Sequence, residues 1–326
     1  MNITVLGAGA WGTALALILQ RKQHRVTLWG HDPAHLADAG QHRENRRYLP
    51  TVPLPEALIL EPDLMRAVEG SDGVIVSVPS KAFRDITSRL VDYTGFVVST
   101  TKGIEHSTGL TMCAILDQTS PRSRHAALSG PSLAAEVARG VPTAVVAAST
   151  DPDLASLVQS LFHLTTFRVY TSTDLLGVEL GGALKNVVAI AAGICDGLGF
   201  GDNSKAALIT RGLAEMSRLG AACGARAETF AGLSGLGDLT VTCFSQLSRN
   251  RSFGERLGRG EQVQDILREV RTAVEGHPTS RSALALAHRL GVSVPITTAV
   301  HATLYEGKSP QQAVTDILMR ESKSES

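Results

Sequence analysis

A lysine and an asparagine stand side by side in an otherwise small and apolar stretch, Gly181-Gly182-Ala183-Leu184-Lys185-Asn186-Val187-Val188. Burying an ammonium in such a helix is costly, and desolvation would lower its pKa toward neutrality. An amine in that range can exchange a proton with a substrate hydroxyl or carbonyl. The competing reading is an amphipathic helix whose lysine snorkels to water, although the glycine pair leaves room for a close neighbour. Two polar segments follow, Gly235-Leu236-Gly237-Asp238-Leu239-Thr240-Val241-Thr242-Cys243 and Ser248-Arg249-Asn250-Arg251. Asp238 can accept a hydrogen bond from a lysine or a hydroxyl. Arg249 and Asn250, at the expected start of a helix, offer charge-assisted and amide donors suited to a phosphate. Arg249 reads equally as a surface residue, and Arg251 reads as part of a solvated helix face.

The N-terminus carries different chemistry. Gly7-Ala8-Gly9-Ala10-Trp11-Gly12 follows an expected strand directly and opens an expected helix from Thr13 to Arg21, the context in which GxGxxG acts as a dinucleotide fingerprint. Gly7 permits the tight turn, Gly9 lets the backbone approach a pyrophosphate, and Gly12 lets the helix pack close to the strand. The helix N-terminus adds amide donors for the anion. A glycine turn without a ligand would carry the same letters. The second strand ends at Trp29-Gly30-His31-Asp32, where a contact to the adenosine ribose is expected. Asp32 favours a free 2′-hydroxyl, whereas His31 with Arg46 and Arg47 tolerates a 2′-phosphate, so the choice between NADH and NADPH stays open. Lys102 follows an apolar strand at the edge of the sheet where doubly wound folds bind ligands.

These residues need a scaffold, and the apolar pattern describes one. Eight short β-branched runs, Ile3–Leu6, Arg25–Trp29, Leu58–Leu60, Val74–Val78, Phe96–Ser99, Ala126–Leu128, Ala144–Ala148 and Phe167–Tyr170, alternate with stretches long enough for helices. That alternation predicts an α/β fold, a mostly parallel, doubly wound Rossmann-type sheet with helices on both faces. After about Ser172 the strand signals stop. Helices are expected over 175–194, 204–223, 227–233, 250–258, 263–269, 280–290, 295–305 and 310–318, which makes an all-α C-terminal domain. The boundary is placed near Thr171-Ser172-Thr173, giving a dinucleotide-binding domain over 1–172 and a helical substrate-binding domain over 173–326. The polar tail Glu321 to Ser326 is expected to be disordered.

Composition narrows the function further. The 326 residues hold 31 basic and 31 acidic side chains and only 4% aromatics, so the broad positive field and the stacking material of a nucleic-acid binder are missing. Four widely spaced cysteines with no CxxC pair point to neither a disulfide framework nor a zinc site, and no metal is expected. Met1 to Leu6 runs into the glycine turn with neither a basic region nor a cleavage site, and the stretch Val187 to Gly193 is too short to span a bilayer. A cytoplasmic protein without stable membrane insertion is expected.

Taken in order, the stretches GAGAWGTALA, SVPS, STTKG, LSGPSLAAE, LGGALKNVVAI, GDNSKAALITRGLAEM, GLSGLGDLTVTC, SRNR and VEG resemble the soluble nicotinamide-dependent glycerol-3-phosphate dehydrogenases, most of all the bacterial NAD(P)-dependent group. The resemblance covers nearly the whole chain. It implies reversible reduction of dihydroxyacetone phosphate to sn-glycerol 3-phosphate, the precursor of phospholipid headgroups, with NADH or NADPH as cofactor and a homodimer as a candidate assembly. It implies Lys185 as the catalytic proton donor and acceptor, with Lys102 and Asp238 positioning the substrate and Asn186 and Thr242 supporting the cluster. Gly130, Ser132, Ser248, Arg249 and Asn250 would contact glycerol 3-phosphate. Ala10, Trp11, His31, Lys102, Ala134, Arg249, Ala273 and Glu275 would contact the dinucleotide. His31 stands where many relatives carry arginine, and Ala273 where valine is common. The nearest rival is a ketopantoate-type or β-hydroxyacid reductase, whose carboxylate substrates do not call for Ser248-Arg249-Asn250 together with Gly235-Leu236-Gly237-Asp238. A silent nucleotide sensor would need neither Lys185 nor Asp238.

Overall fold

Apolar runs without alternation form strands that are buried on both faces, and the computed structural model shows ten strands among residues 1–270 and 273–319, the residues it describes. They are β1 (Asn2–Leu6), β2 (Arg25–Trp29), β3 (Glu44–Asn45), β4 (Leu49–Pro53), β5 (Ile59–Glu61), β6 (Gly73–Val76), β7 (Phe96–Ser99), β8 (Arg124–Ser129), β9 (Thr143–Ala148) and β10 (Phe167–Ser172). Eight of them form one sheet in the order β10-β9-β8-β7-β6-β1-β2-β5. Every pairing in it is parallel except β8 with β9. The remaining two, β3 and β4, make a small antiparallel hairpin that the sequence pattern did not announce. The tail from Glu321 to Ser326 lies outside the described residues.

The chain winds outward from β1 in both directions, to β2 and β5 on one side and to β6, β7 and β8 on the other. Order therefore reverses between β1 and β6, the position where such sheets open a crevice at the carboxyl ends of their strands. The period-2 pleat sends alternate side chains to opposite faces. Ile3, Val5, Val26, Leu28, Ile75, Phe96 and Val98 enter one apolar cluster, with Ala14 to Leu19 and with Leu154, Val158 and Leu161. Leu6, Trp29, Val74, Val76 and Val97 enter the other, with Phe83, Ile115 and Leu116. Both faces are thus covered by helices, Ala10–Arg21 and Pro152–Phe162 on the first and Ser80–Thr87 and Met112–Thr119 on the second.

The chain divides into two compact units, residues 1–102 with 110–179, and residues 103–109 with 180–326. The division falls inside the helix Leu175–Gly197, whose start is set by local chemistry. Asp174 accepts from the backbone N–H of Gly177 at 3.0 Å, and the Ser172 hydroxyl accepts from the N–H of Asp174 at 3.1 Å. By length and composition this helix could cross a bilayer, but most of it is buried in protein, as expected of a core helix.

The second unit is helical: Asp202–Ala222, Ala227–Phe230, Asp238–Phe244, Arg249–Gly258, Val263–Glu269, Gly276–Leu290, Pro295–Tyr305 and Pro310–Leu318 follow. Its apolar cluster joins Val187, Ile190 and Ile194 to Phe253, Leu257, Ile266, Val300 and Leu304. Glu215 fixes the start of Pro295–Tyr305 by accepting from the N–H groups of Ile296 at 2.8 Å and Thr297 at 2.9 Å. Burial pushes its carboxyl above the ordinary glutamate value, and the bonds from Thr297 and Ile296 oppose that shift.

Candidate active site

The glycine turn sits at the carboxyl end of β1, beside the end of β6. Gly7 takes φ +121°, and a Cβ there would overlap the carbonyl oxygen of Ser77. A Cβ on Gly12 would overlap the carbonyl of Gly7. Both positions are therefore demanded by the turn itself. Gly9 differs, because a Cβ there would meet nothing within 4 Å. The fold does not need a glycine at this position, so the open approach fits a bulky group brought against the backbone. Gly9 is also the N-cap of Ala10–Arg21, with no side chain capping the first-turn amides and no acidic residue in that turn. Such an end suits the pyrophosphate of a dinucleotide.

At the end of β2 the expected ribose contact has protein partners. Asp32 caps the helix Pro33–His42, one carboxylate oxygen accepting from Ala34 and His35 N–H at 3.1 Å each and the other pairing with Arg47 at 3.1 Å. The His35 N–H bond is the main force holding this carboxyl below its usual range. Arg46 pairs with Asp38, and His31 is exposed. The indole of Trp11 lies 6.5 Å from the Phe167 ring, and Trp11 and Ala134 both pack against the apolar cluster under the turn. Along the same sheet edge, Lys102 follows β7 and Gly130 follows β8, which run parallel. The Lys102 ammonium consequently reaches the Gly130 carbonyl at 3.1 Å, and the Ser132 hydroxyl donates to that carbonyl at 2.9 Å.

In the helical unit, Lys185 Nζ lies 2.8 Å from Asp238 Oδ1, with the two side chains only 8% and 2% exposed. Nζ also donates to Thr242 Oγ1 at 2.6 Å, and that hydroxyl donates to the Asp238 backbone carbonyl at 2.6 Å. Asp238 and Thr242 share one face because they stand four residues apart in Asp238–Phe244. Asn186, the next residue after Lys185, accepts from Asn250 Nδ2 at 2.9 Å, and Asn250 Oδ1 accepts from Gly276 N–H at 2.9 Å. Ser248 caps Arg249–Gly258 by accepting from Arg251 N–H at 3.2 Å. Gly193 and Gly254 let that helix meet Leu175–Gly197 backbone to backbone. Solvent reaches Arg249, yet surrounding chain desolvates its guanidinium and lowers its pKa, while the charge of Glu275 opposes this. Ala273 is half-buried just before Glu275. Gly181 makes room for the chain's own backbone at Ser234.

Residues 2–155 match the family profile described as NAD-dependent glycerol-3-phosphate dehydrogenase N-terminus, and residues 174–315 match its C-terminus. The chain is 49% identical to the glycerol-3-phosphate dehydrogenase [NAD(P)+] of Anaeromyxobacter dehalogenans, with all of both chains covered. It belongs to the NAD-dependent glycerol-3-phosphate dehydrogenase family. The crystal structure of glycerol-3-phosphate dehydrogenase from Coxiella burnetii superposes with a TM-score of 0.94 at 41% identity, covering 98% of this chain and 99% of that one. A ketopantoate reductase from Ralstonia eutropha shares the fold alone, with a TM-score of 0.60 at 16% identity over 96% of this chain and all of that one. NADH or NADPH is the cofactor of a glycerol-3-phosphate dehydrogenase of this kind, and the glycine turn fits either.

One sequence expectation is corrected. Arg251 is not on a solvated face: its side chain is only 12% exposed, with Nε 2.7 Å from Asp196 and a second nitrogen 3.1 Å from Glu255, while Lys205 holds the other oxygen of Asp196 at 2.6 Å. The four-residue spacing of Arg251 and Glu255 was a readable signal for part of this cluster. The lone acid near the end of an apolar helix was another. This cluster fastens the helix that carries Arg249 and Asn250 to the helix that carries Lys185.

Cys243 stands next to Thr242, and burial pushes its thiol up to about 12, with Lys185 and Lys205 opposing. A thiol held protonated is inert. Iodoacetamide at pH 8 is therefore expected to leave Cys243 unmodified in the folded protein, and to label it after denaturation. Peptide mass spectrometry reads the outcome, and rapid native labelling at Cys243 would contradict the buried placement.

Proposed function

We propose that the protein catalyses the reversible NAD(P)-dependent reduction of dihydroxyacetone phosphate to sn-glycerol 3-phosphate, supplying phospholipid synthesis in the cytoplasm. The observation that carries this is the buried Lys185–Asp238–Thr242 cluster in a member of this family. The bound nicotinamide supplies the hydride that the keto carbon accepts, and the protein orients the reactants. Protonated Lys185 gives a proton to the carbonyl oxygen as charge develops there, and takes it back in the reverse direction. Asp238 balances the ammonium in its dry surroundings and, with Thr242, fixes where Nζ points. Asn186 supports the cluster through its bond to Asn250.

Within this reading, residues 1–172 form the dinucleotide domain and 173–326 the substrate domain. Gly130, Ser132, Ser248, Arg249 and Asn250 hold the substrate, with Lys102 as a second cation. Arg249 and Asn250 face its phosphate, which distinguishes it from the carboxylate of a keto acid. Gly7, Gly9, Ala10, Trp11, Gly12, His31, Ala134, Ala273 and Glu275 serve the dinucleotide, and Lys102 and Arg249 touch both ligands.

The assay is oxidation of NADPH or NADH with dihydroxyacetone phosphate beside ketopantoate and other keto acids. Turnover with the phosphate ester is expected, and turnover with a keto acid instead would sink the proposal. Arg249→Ala is expected to weaken use of dihydroxyacetone phosphate by about 2–3 kcal/mol, a rise in KM of roughly 30- to 150-fold, because a charge-assisted bond is lost. Unchanged kinetics would make Arg249 a surface residue.

A further inference from the structure

We propose that Asn45 is a positioning residue that sets dinucleotide affinity by aiming the peptide between Ala8 and Gly9. It stands on β3 of the unannounced hairpin, and only 2% of it is exposed. Its Nδ2 donates to the Ala8 carbonyl at 3.0 Å and to Thr13 Oγ1 at 2.8 Å. Its Oδ1 accepts from His35 Nε2 at 2.9 Å and from the Tyr48 N–H at 3.2 Å. A side-chain amide offers two donors and two acceptor lone pairs, so each has a partner here. Turning the amide over would set Nδ2 against the Tyr48 N–H and Oδ1 against the Ala8 carbonyl, so one orientation is fixed.

The consequence follows from peptide geometry. In a trans peptide the C=O and the following N–H point in opposite directions from one plane, and the described residues contain no cis bond. Drawing the Ala8 carbonyl inward to Asn45 therefore turns the Gly9 N–H away from Asn45, at a residue where even a Cβ would meet nothing within 4 Å. A second bond, to Thr13 in the first turn of Ala10–Arg21, locks this peptide to the helix whose N-terminal amides face the same way. A glycine turn is conformationally permissive, so its donors are aimed only if something outside the turn holds it. Asn45 is one such hold, beside the bond from the Gly7 N–H to the Trp29 carbonyl at 2.9 Å. The pyrophosphate is common to both dinucleotides, so the effect is independent of the ribose 2′ position.

This inference rests on the glycine turn being the dinucleotide site. The test compares wild type, Asn45→Ala, Asn45→Asp and Thr13→Val in steady-state kinetics with dihydroxyacetone phosphate and either NADH or NADPH. In Asn45→Ala the KM for each dinucleotide is expected to rise at least ten-fold and by similar factors. The KM for dihydroxyacetone phosphate, measured with the dinucleotide saturating, stays within about two-fold. Asn45→Asp, which faces a carboxylate at the Ala8 carbonyl, is expected to do worse than alanine. A general loosening of the domain would lower kcat without this split between the two Michaelis constants. Where Asn45→Ala fails to fold by circular dichroism, Thr13→Val decides, with an expected two- to five-fold rise in dinucleotide KM. Dinucleotide KM values within two-fold of wild type in the folded variant overturn the role of Asn45. Wild type that oxidises neither dinucleotide would instead overturn the proposed function.

Discussion

Lys185→Ala is expected to lower kcat by about 10²- to 10⁴-fold, the range associated with losing a positioned general acid, while dinucleotide binding is kept. The ammonium is buried, 2.8 Å from Asp238 and 2.6 Å from the Thr242 hydroxyl, so a water molecule does not reproduce its charge or its direction. The Thr242 hydroxyl is already committed to the Asp238 carbonyl at 2.6 Å and is a poor substitute donor. Single-turnover kinetics with saturating dinucleotide separate this loss from weakened binding. A variant that turns over at the unmodified rate would remove Lys185 from the chemistry.

The second large effect concerns stability. Asp238→Ala takes away the carboxylate 2.8 Å from a buried ammonium, and Lys185→Ala takes that ammonium from a buried carboxylate. Each is expected to cost about 3–5 kcal/mol, the usual consequence of breaking a buried pair from one side. The double variant Lys185→Met with Asp238→Leu removes both charges and keeps apolar volume, and Thr242 still has the backbone carbonyl of Asp238 to donate to. It is expected to be more stable than either single variant by about 2 kcal/mol or more, and inactive. Urea denaturation of Lys185→Met, Asp238→Leu and the double variant beside wild type measures the coupling. Additive losses would mean that the two side chains do not sense each other's charge.

These expectations depend on contacts that the sequence shows only in part. The strand positions were readable because β-branched runs buried on both faces lack alternation, and β1, β2 and β7 begin and end within a residue of where the pattern put them. The hairpin was not. β3 is two residues long, and β4 is Leu-Pro-Thr-Val-Pro, whose prolines read as loop. Leu239-Thr-Val-Thr-Cys carries β-branched residues at strand-like spacing, yet it forms the helix Asp238–Phe244. Burial of Leu239, Thr242 and Cys243 on one helix face outweighs a weak local preference. Arg251 joins an ion-pair cluster instead of a solvated face for a related reason. Exposure is a property of what lies opposite, and Asp196 comes from a distant helix.

By itself the sequence determined the periods of its elements, the glycine turn and its helix, the overall balance of charge, and which residue types are costly to bury. Those are local quantities, set by backbone sterics and by the hydrophobic pattern along a few turns. The tertiary structure alone decided the partners. Lys185 meets Thr242 from 57 positions away, Asn186 meets Asn250 from 64, and Asn45 reaches Ala8 from 37. Each of these is a buried polar group that had to find a mate once water was excluded. Which mate it finds is fixed by how the helices and the sheet stack, and no short stretch of sequence contains that information.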